Sequence, residues 1–243
     1  MFGRKVLDIL SKLQKETLLL FSRLPDQDAF YLTGGTALSA FFLRHRKSKD
    51  LDFFTNIEEV IPAFSQKMEV SLKKAGLKTE RLRSLHSFAE IVVTSSDDST
   101  IIHLGWDSPF RFEQPFISEE IPGLKIDSLV DIATNKILAL FGRAALRDFI
   151  DIYFLLKEPF TKEELLEKAS QKDAGFDLYW FGVALERINS FSDDNPDAHL
   201  LIRPCTMKEL KDFFGIWKKE ITKGIIERNK NGMGGVKDNG QEH

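Results

Sequence analysis

Hydrophobic positions in the first half of the chain alternate between a helical period and a strand period. Apolar residues at helical spacing predict an amphipathic helix over 4–23. Two apolar runs, 29–32 and 50–54, predict strands, and the segment 36–43 between them predicts a short helix. Pro62 begins a further helix that ends before Gly76. The remaining strands expected from apolar or alternating patterns are 79–83, 88–94 and 100–106.

The second half of the chain has a helical period almost throughout. Prolines and a glycine interrupt 109–123, so this stretch predicts a linker that leaves the sheet. Ser128 and Asp131 have the spacing of a capped helix start. The final residues, from Arg228 to His243, are rich in Gly, Asn and Lys and predict a disordered tail. The helices expected before this tail are 129–141, 145–157, 161–171, 176–190 and 206–226.

These elements predict an α+β fold, with a small mixed sheet first and a helical region after it. The expected domains are an α/β domain over 1–125, a C-terminal helical domain over 126–228 and a tail over 229–243. A chain of 243 residues is long enough to bury a substantial core in such domains. The helical period after residue 126 is what separates the second domain from the first.

Composition and charge narrow the class of protein. The chain has 42% hydrophobic and 29% charged residues and a net charge of −3, so it is not a polycation, and any nucleic-acid contact needs a local basic patch. The single cysteine, Cys205, excludes an internal disulfide and is expected to be a small buried residue. We expect a cytoplasmic protein without a membrane segment, because no apolar run reaches membrane length. Candidates for the basic patch, which serve equally well as solubilising charges, are Arg44, Lys47, Lys49, Arg81 and Arg83.

The most distinctive chemistry lies between residues 34 and 54. Gly34 and Gly35 bring backbone N–H groups to a surface with no Cβ in the way, and the helix that follows directs its first N–H groups at an anion. Asp50 and Asp52 lie two apart on a strand, so both carboxylates project from one face. They repel each other unless a cation lies between them, and a divalent metal fits that position. The stretch predicts a metal–nucleotide site; the simpler interpretation is a plain turn beside a solvated strand end.

The same stretch resembles a known family. Gly34 to Leu38 reads Gly-Gly-Thr-Ala-Leu, and 46–55 reads Arg-x-Ser-x-Asp-Leu-Asp-Phe-Phe-Thr. This combination resembles the AbiEii/AbiGii toxins, which are nucleotidyltransferases of the DNA polymerase beta-like superfamily. The resemblance implies a polymerase beta-like domain that uses a nucleoside triphosphate and Mg²⁺, or Mn²⁺, held by Asp50 and Asp52. The residues it places at the nucleotide are Gly34, Gly35, Thr36, Arg46 and Ser48.

A second charged cluster follows at 136–151. On one unbroken helix Lys136, Arg143, Arg147 and Asp151 would fall within an arc of about 60°. Spacing alone favours a solvated face, or a structural pair of Asp151 with Lys136 or Arg147. The resemblance extends to this cluster through Lys-x2-Ala-Leu and Arg-x3-Arg-Asp-x2-Asp. It implies that Lys136 contacts phosphates, that Arg147 binds nucleotide, and that Asp151 positions Lys136 or a reacting hydroxyl.

One position departs from the superfamily pattern. Relatives often have a third carboxylate on the strand after the Asp-x-Asp pair, where this chain has His103. His103 is a candidate metal ligand or base near neutral pH, or a strand histidine that faces solvent. Asp107 is the other candidate, and a site without a third ligand is the remaining alternative.

The expected function is therefore that of a nucleotidyltransferase toxin in a toxin–antitoxin or phage-defence system. RNA, with the tRNA 3′ end as the best candidate, is the expected acceptor, and a cognate antitoxin is the expected protein partner. Two alternatives stay open at this point. The chain could be a catalytically degenerate toxin fold that binds a partner protein or RNA, or a nucleotidyltransferase that modifies an antibiotic or a sugar.

Overall fold

A seven-stranded mixed sheet organises the first half of the chain. The computed structural model describes residues 8–233, without the side chains of 229 and 231–233. The strands are β1 (Tyr31–Thr33), β2 (Asp50–Thr55), β3 (Lys78–Ser84), β4 (Phe88–Thr94), β5 (Ser99–Trp106), β6 (Phe116–Ile117) and β7 (Lys125–Ile126). Their order across the sheet is β3-β4-β5-β2-β1-β7-β6, with β2 parallel to β5 and antiparallel to β1.

Helices precede, interrupt and follow the sheet. Within residues 8–233, short 3₁₀ helices cover Gln27–Ala29, Glu186–Ser190 and Pro196–Leu200. The longer helices are α1 (Lys12–Phe21), α2 (Gly34–Ala37, continued as a π-helix over Leu38–Leu43), α3 (Val60–Lys74), α4 (Leu129–Gly142), α5 (Leu146–Lys157), α6 (Lys162–Lys172), α7 (Leu178–Leu185) and α8 (Met207–Met233). The α+β architecture predicted from the sequence is confirmed.

The structure corrects several predicted boundaries. The helix predicted over 4–23 begins at Lys12, because Ser11 and Gln14 form a capping box there; residues 1–7 lie outside the described residues. The predicted linker 109–123 contains β6. Helix α8 continues to Met233, into the predicted tail, and 234–243 lie outside the described residues.

The chain divides into two compact units. The first consists of Met1–Lys136 with Pro196–Pro204, and the second of Ile137–Asn195 with Cys205–His243. The observed division lies within α4, whereas the predicted one falls before that helix. The short segment Pro196–Pro204 leaves the second unit and returns to the first, which no feature of the sequence predicted.

The core of the first unit lies on one face of the sheet. Along β2 the side chains alternate, and Leu51 and Phe53 are fully buried. The ring of Phe53 stacks on Phe21 of α1 at 3.8 Å between centroids, and Phe64 of α3 meets Phe21 edge-on at 5.2 Å. Burial of each such ring contributes about 1.5–3 kcal/mol. Helices α1 and α3 therefore cover this face, and Asp50 and Asp52 project from the opposite one.

The second unit has an aromatic core of its own. Phe214 and Trp217 of α8 are buried, and their ring neighbours include Phe149 of α5 and Phe181 of α7. Cys205 begins the second segment of this unit and is partly exposed, so the prediction of a buried residue is wrong. Its partial burial still raises the pKa of the thiol to about 11, so the thiol stays protonated near neutral pH. Among the described residues, none of the helices combines the length and the apolar composition needed to cross a membrane.

Candidate active site

The glycine turn after β1 is built against a carboxylate. Gly34 has a φ of +70°, which favours glycine, and a Cβ at this position would lie 2.1 Å from Oδ2 of Asp52. The close approach follows from strand pairing, since Thr33, the residue before the turn, lies opposite Asp52 on β2. The backbone of the turn therefore comes directly against the side chain that the sequence proposes as a metal ligand.

Asp50 and Asp52 share the face of β2 that is not covered by α1 and α3. Both are partly exposed, while Leu51 and Phe53 between and beside them are buried. The hydroxyl of Thr36 donates to the backbone carbonyl of Asp50 at 2.5 Å, which joins α2 to the start of β2. The strand alternation that predicted a shared face for the two carboxylates is present in the structure.

His103 lies directly beside Asp52, on the neighbouring strand β5. Its Nδ1 is 2.8 Å from Oδ1 of Asp52, and its Nε2 is 3.7 Å from Oε1 of Glu90 on β4. Burial of the ring disfavours its charged form, but the hydrogen bond and charge of Asp52, with the charges of Asp50 and Glu90, outweigh burial and raise the pKa of His103. The histidine thus lies between carboxylates on both sides.

Glu90 is a site residue that sequence reasoning missed. It pairs with His103 in the β4–β5 register and therefore projects from the same face as Asp52. The alternation of buried and partly exposed residues along β4 agrees with this position, because Ala89 and Ile91 on either side of Glu90 are buried. The register between strands, which the sequence does not state, was needed to place it.

Asp107, the other candidate for a third ligand, has a different environment. It accepts a hydrogen bond from the hydroxyl of Tyr31 at 2.8 Å, and its backbone N–H donates to the carbonyl of Thr55. Asp107 follows His103 by four residues on an extended chain, so their backbones lie roughly 13 Å apart. Asp107 belongs to the far end of β5 and not to the group around Asp52.

The basic loop, 44–49, supports the second glycine of the turn. A Cβ on Gly35 would lie 2.6 Å from Nη2 of Arg46 and 2.9 Å from Oγ of Ser48. Arg46 is only 2% exposed, and its Nη1 donates to the carbonyl of Lys47 at 3.0 Å. Arg46 and Ser48 therefore pack directly behind the turn that is predicted to bind phosphates.

The returning segment Pro196–Pro204 fixes this loop from outside. The N–H of Lys47 donates to the carbonyl of Leu200 at 2.7 Å. The N–H groups of Ile202 and Arg203 donate to the carbonyl of His45 at 2.8 and 3.0 Å. The loop beside the glycine turn is therefore held by backbone groups that lie roughly 150 positions later in the sequence.

A buried polar cluster connects the glycine turn to α4. The hydroxyl of Thr33 donates to Asp127 at 2.7 Å rather than capping α2, and Asp127 is also paired with Arg111. Burial raises the pKa of Asp127. Asp127 lies just before α4, the helix that carries Lys136, and Lys136 is 6% exposed.

The remaining residues of the second charged cluster belong to the second unit. Arg143 makes two hydrogen bonds of 2.8 Å to the buried carboxylate of Asp148, a pair that the sequence did not predict. Arg147 and Asp151 lie on α5, where Asp151 is fully buried. The roles of Lys136, Arg147 and Asp151 stay predictions.

The basic patch expected from the sequence is divided between two kinds of residue. Arg81 is held by Glu69 and Ser65, with distances of 2.7 and 2.9 Å, so its guanidinium has a structural role. Lys47 and Lys49 are exposed on the loop that follows α2. Arg83 is exposed as well, and its Nε lies 3.1 Å from Oε2 of Glu90, so it also presents positive charge beside the candidate site.

The donor set fits a metal ion that is completed by its substrate. Asp50 and Asp52 offer two carboxylates on one face, with the Gly34 backbone held against one of them. Over residues 8–233, His, Cys, Asp and Glu side chains nowhere form a group of three or more placed to hold a metal. Mg²⁺ is commonly bound through one or two carboxylates together with substrate phosphates, which agrees with this arrangement.

A mixed sheet with paired carboxylates beside a glycine turn is the arrangement expected of a nucleotidyltransferase. A family profile described as the nucleotidyl transferase AbiEii toxin of a type IV toxin–antitoxin system matches residues 18–214. The match covers most of the chain, and the chain belongs to the AbiEii family of nucleotidyltransferase toxins. The family resemblance expected from the motifs is confirmed.

Individual proteins are also similar to this chain. The uncharacterized protein aq_aa25 of Aquifex aeolicus is 29% identical over 206 residues, which cover 84% of this chain and 94% of that protein. The solved structure of JHP933 from Helicobacter pylori is similar with a TM-score of 0.56 at 20% identity, over 98% of this chain and 100% of the other. MenT4, a nucleotidyltransferase toxin of Mycobacterium tuberculosis, has a TM-score of 0.53 at 14% identity, with 87% and 83% covered. These structural similarities establish the fold.

Proposed function

We propose that this protein transfers a nucleotide from a nucleoside triphosphate to a hydroxyl of RNA, in a reaction that depends on Mg²⁺ or Mn²⁺. The observation that carries the proposal is the contact of the Gly34 backbone with the Asp52 carboxylate. A phosphate held at the turn would lie next to the two carboxylates, so nucleotide and metal would meet there. Family membership supports the reaction type.

In the proposed reaction the acceptor hydroxyl gives its proton to solvent and attacks the α-phosphate, a new P–O bond forms, and pyrophosphate leaves with the electron pair of the broken bond. The metal, when bound by Asp50 and Asp52, neutralises charge on the phosphates. The N–H groups of Gly34, Gly35 and Thr36 hold the triphosphate. Their geometry is maintained by the loop residues packed behind Gly35.

Two positively charged side chains are proposed to stabilise the leaving pyrophosphate. Lys136 is proposed to contact phosphate oxygens and to stabilise the charge that develops on them. Arg46 is buried behind Gly35, so we infer that its charge acts through the turn rather than by direct contact. Arg147 and Asp151 keep the roles that the family resemblance implies, in nucleotide binding and in positioning.

The proposed acceptor is the 3′ end of tRNA. The resemblance to the family motivates this choice, and the exposed side chains of Lys47 and Lys49 beside the turn supply charge for a phosphate backbone. A cognate antitoxin is the protein partner that membership of a toxin–antitoxin family implies. The proposed place of action is the cytoplasm, where tRNA and nucleoside triphosphates are present.

Transfer of label to RNA tests this function. The full chain is incubated with each α-³²P nucleoside triphosphate, Mg²⁺ and total RNA, and the labelled species are separated by size. We expect label on tRNA-sized RNA and no transfer when EDTA replaces Mg²⁺. Label on small molecules only would favour an antibiotic or sugar acceptor. RNA binding without any transfer would favour the degenerate toxin fold that acts by binding.

Lys136 should be required for catalysis and not for folding. Lys136→Met keeps most of the buried aliphatic stem and removes the charge, so the melting temperature should move little. Transfer should fall about a hundredfold, as loss of a preorganised charged donor costs about 3 kcal/mol. Lys74→Met, on the exposed end of α3, is the control and should retain transfer. A large drop in melting temperature with full activity per folded molecule would instead identify a structural ion pair.

A further inference from the structure

Two neighbouring rows of side chains cross the sheet on the face that carries Asp52. Strand register places the first row in the order Thr33, Asp52, His103 and Glu90, from β1 through β2 and β5 to β4. The second row is displaced by two residues along each strand and therefore projects from the same face. Its members are Tyr31, Phe54, Gly105 and Phe88.

The second row consists of aromatic residues and one glycine, Gly105. A Cβ on Gly105 would lie 3.0 Å from Cε1 of Phe54 and 3.7 Å from Cδ2 of Phe88. The two rings thus lie over Gly105 from either side and cover the position where a side chain would stand. We call Phe54, Gly105 and Phe88 the aromatic platform.

The exposure of the platform distinguishes it from the core. Phe54 and Phe88 are partly exposed, whereas Phe53, on the opposite face of the same strand, is fully buried. The tyrosine end of the row is covered differently, because Arg111 lies 4.0 Å above the ring of Tyr31, which is 7% exposed. The accessible aromatic surface of the row is therefore that of the two phenylalanines.

The separation between the platform and the candidate metal site matches the size of the ribose in a nucleotide. Phe54 follows Asp52 by two residues on β2, which separates the two side chains by about 7 Å along the strand. In a nucleotide a single ribose joins the base to the α-phosphate. A base over the platform would leave its own α-phosphate beside Asp52 and the Gly34 turn.

We propose that the aromatic platform binds the base of the donor nucleoside triphosphate by stacking. The inference rests on the proposed function and adds to it the surface that receives the base. Stacking on phenylalanine uses the π-face that every base possesses, so the platform by itself accepts all four bases. The acceptor nucleotide is excluded from this surface while the donor occupies it.

Calorimetry with two ligands tests the proposal. The Mg²⁺ complexes of a non-hydrolysable ATP analogue and of tripolyphosphate are titrated separately into the full chain and into its Phe54→Leu and Phe88→Leu variants. Leucine keeps an apolar side chain on the sheet but lacks the flat π-surface. We expect each variant to bind the ATP analogue about 5- to 100-fold more weakly, and tripolyphosphate with unchanged affinity.

Two further variants distinguish loss of base stacking from a loss of folding. Phe116→Leu makes the same change at an exposed phenylalanine on the edge strand β6 and should leave the affinity for both ligands unchanged. Gly105→Val keeps both rings and places a β-branched side chain, which suits a strand, in the middle of the platform. It should weaken binding of the ATP analogue and spare tripolyphosphate. Quenching of 2-aminopurine riboside triphosphate fluorescence should report stacking in the native protein and be lost in Phe54→Leu.

The possible outcomes separate this inference from the proposed function. If the Phe54→Leu and Phe88→Leu variants lost the same affinity for both ligands, or lost none for either, the platform would not be the surface that binds the base. Unchanged binding of the ATP analogue with a raised KM for RNA would assign the platform to the acceptor and overturn the donor assignment. If the native protein binds neither ligand, the proposed function itself fails. If it binds both equally well, the proposed function stands and the platform does not.

Discussion

Asp52→Asn is expected to abolish nucleotide transfer while the protein remains folded. Asparagine has nearly the shape of aspartate, so the contact with Gly34 is retained and only the charge is lost. A metal that stabilises the transferring phosphate contributes several kcal/mol, and its loss should lower the rate about a thousandfold or more. Transfer to RNA and the melting temperature are measured on the same preparation.

The melting temperature of Asp52→Asn should change little. The native carboxylate is attracted to His103 at 2.8 Å, but it also lies on the same face as Asp50, which it repels. Asp107→Asn is the matched control, because it makes the same change further along the sheet, where the new side chain can still accept from Tyr31. Undiminished transfer by Asp52→Asn would contradict the mechanism.

Gly34→Ala should inactivate the enzyme as completely as loss of the carboxylate. The new Cβ would lie 2.1 Å from Oδ2 of Asp52, so either the turn or the aspartate has to move. Both movements separate the phosphate-binding N–H groups from the metal ligand. We therefore expect transfer to fall to the level of Asp52→Asn, although every charged residue of the site is retained.

Gly76→Ala separates this steric effect from backbone strain. Gly76 has a φ of +84°, close to the +70° of Gly34, but a Cβ there would have nothing within 4 Å. Both alanine variants should lose about 1 kcal/mol of folding stability from the left-handed backbone. Only Gly34→Ala should lose transfer, as measured per folded molecule. Equal activity in the two variants would show that the turn and Asp52 do not act together.

Local pattern was sufficient to predict the parts of the site that lie within one short segment. The period of two on β2 predicted the shared face of Asp50 and Asp52, and the glycine pair predicted backbone N–H groups at a surface with no Cβ in the way. The start of α4 was predicted for the same reason, because Ser128 and Asp131 make the expected hydrogen bonds. In each case the residues that decide the structure are at most three or four positions apart.

Features that depend on distant parts of the chain could not be predicted. Glu90 reaches the site only through the pairing of β4 with β5, and the sequence does not specify register between strands. The contact of the basic loop with Leu200 and Ile202 joins backbone groups, which leave no residue pattern. Strands β6 and β7 have two residues each, too few for a period to be read.

The most direct test of the metal–nucleotide site is titration of Mn²⁺ followed by electron paramagnetic resonance, which reports the free ion. The signal lost to the nucleotide without protein is measured separately and subtracted. With only two carboxylates as protein ligands, the native protein should bind little Mn²⁺ alone and bind it clearly once a non-hydrolysable nucleoside triphosphate is added. Asp52→Asn should lose this nucleotide-dependent binding. Equal binding by the native protein and Asp52→Asn, or no binding at millimolar nucleotide, would contradict the assignment of the site.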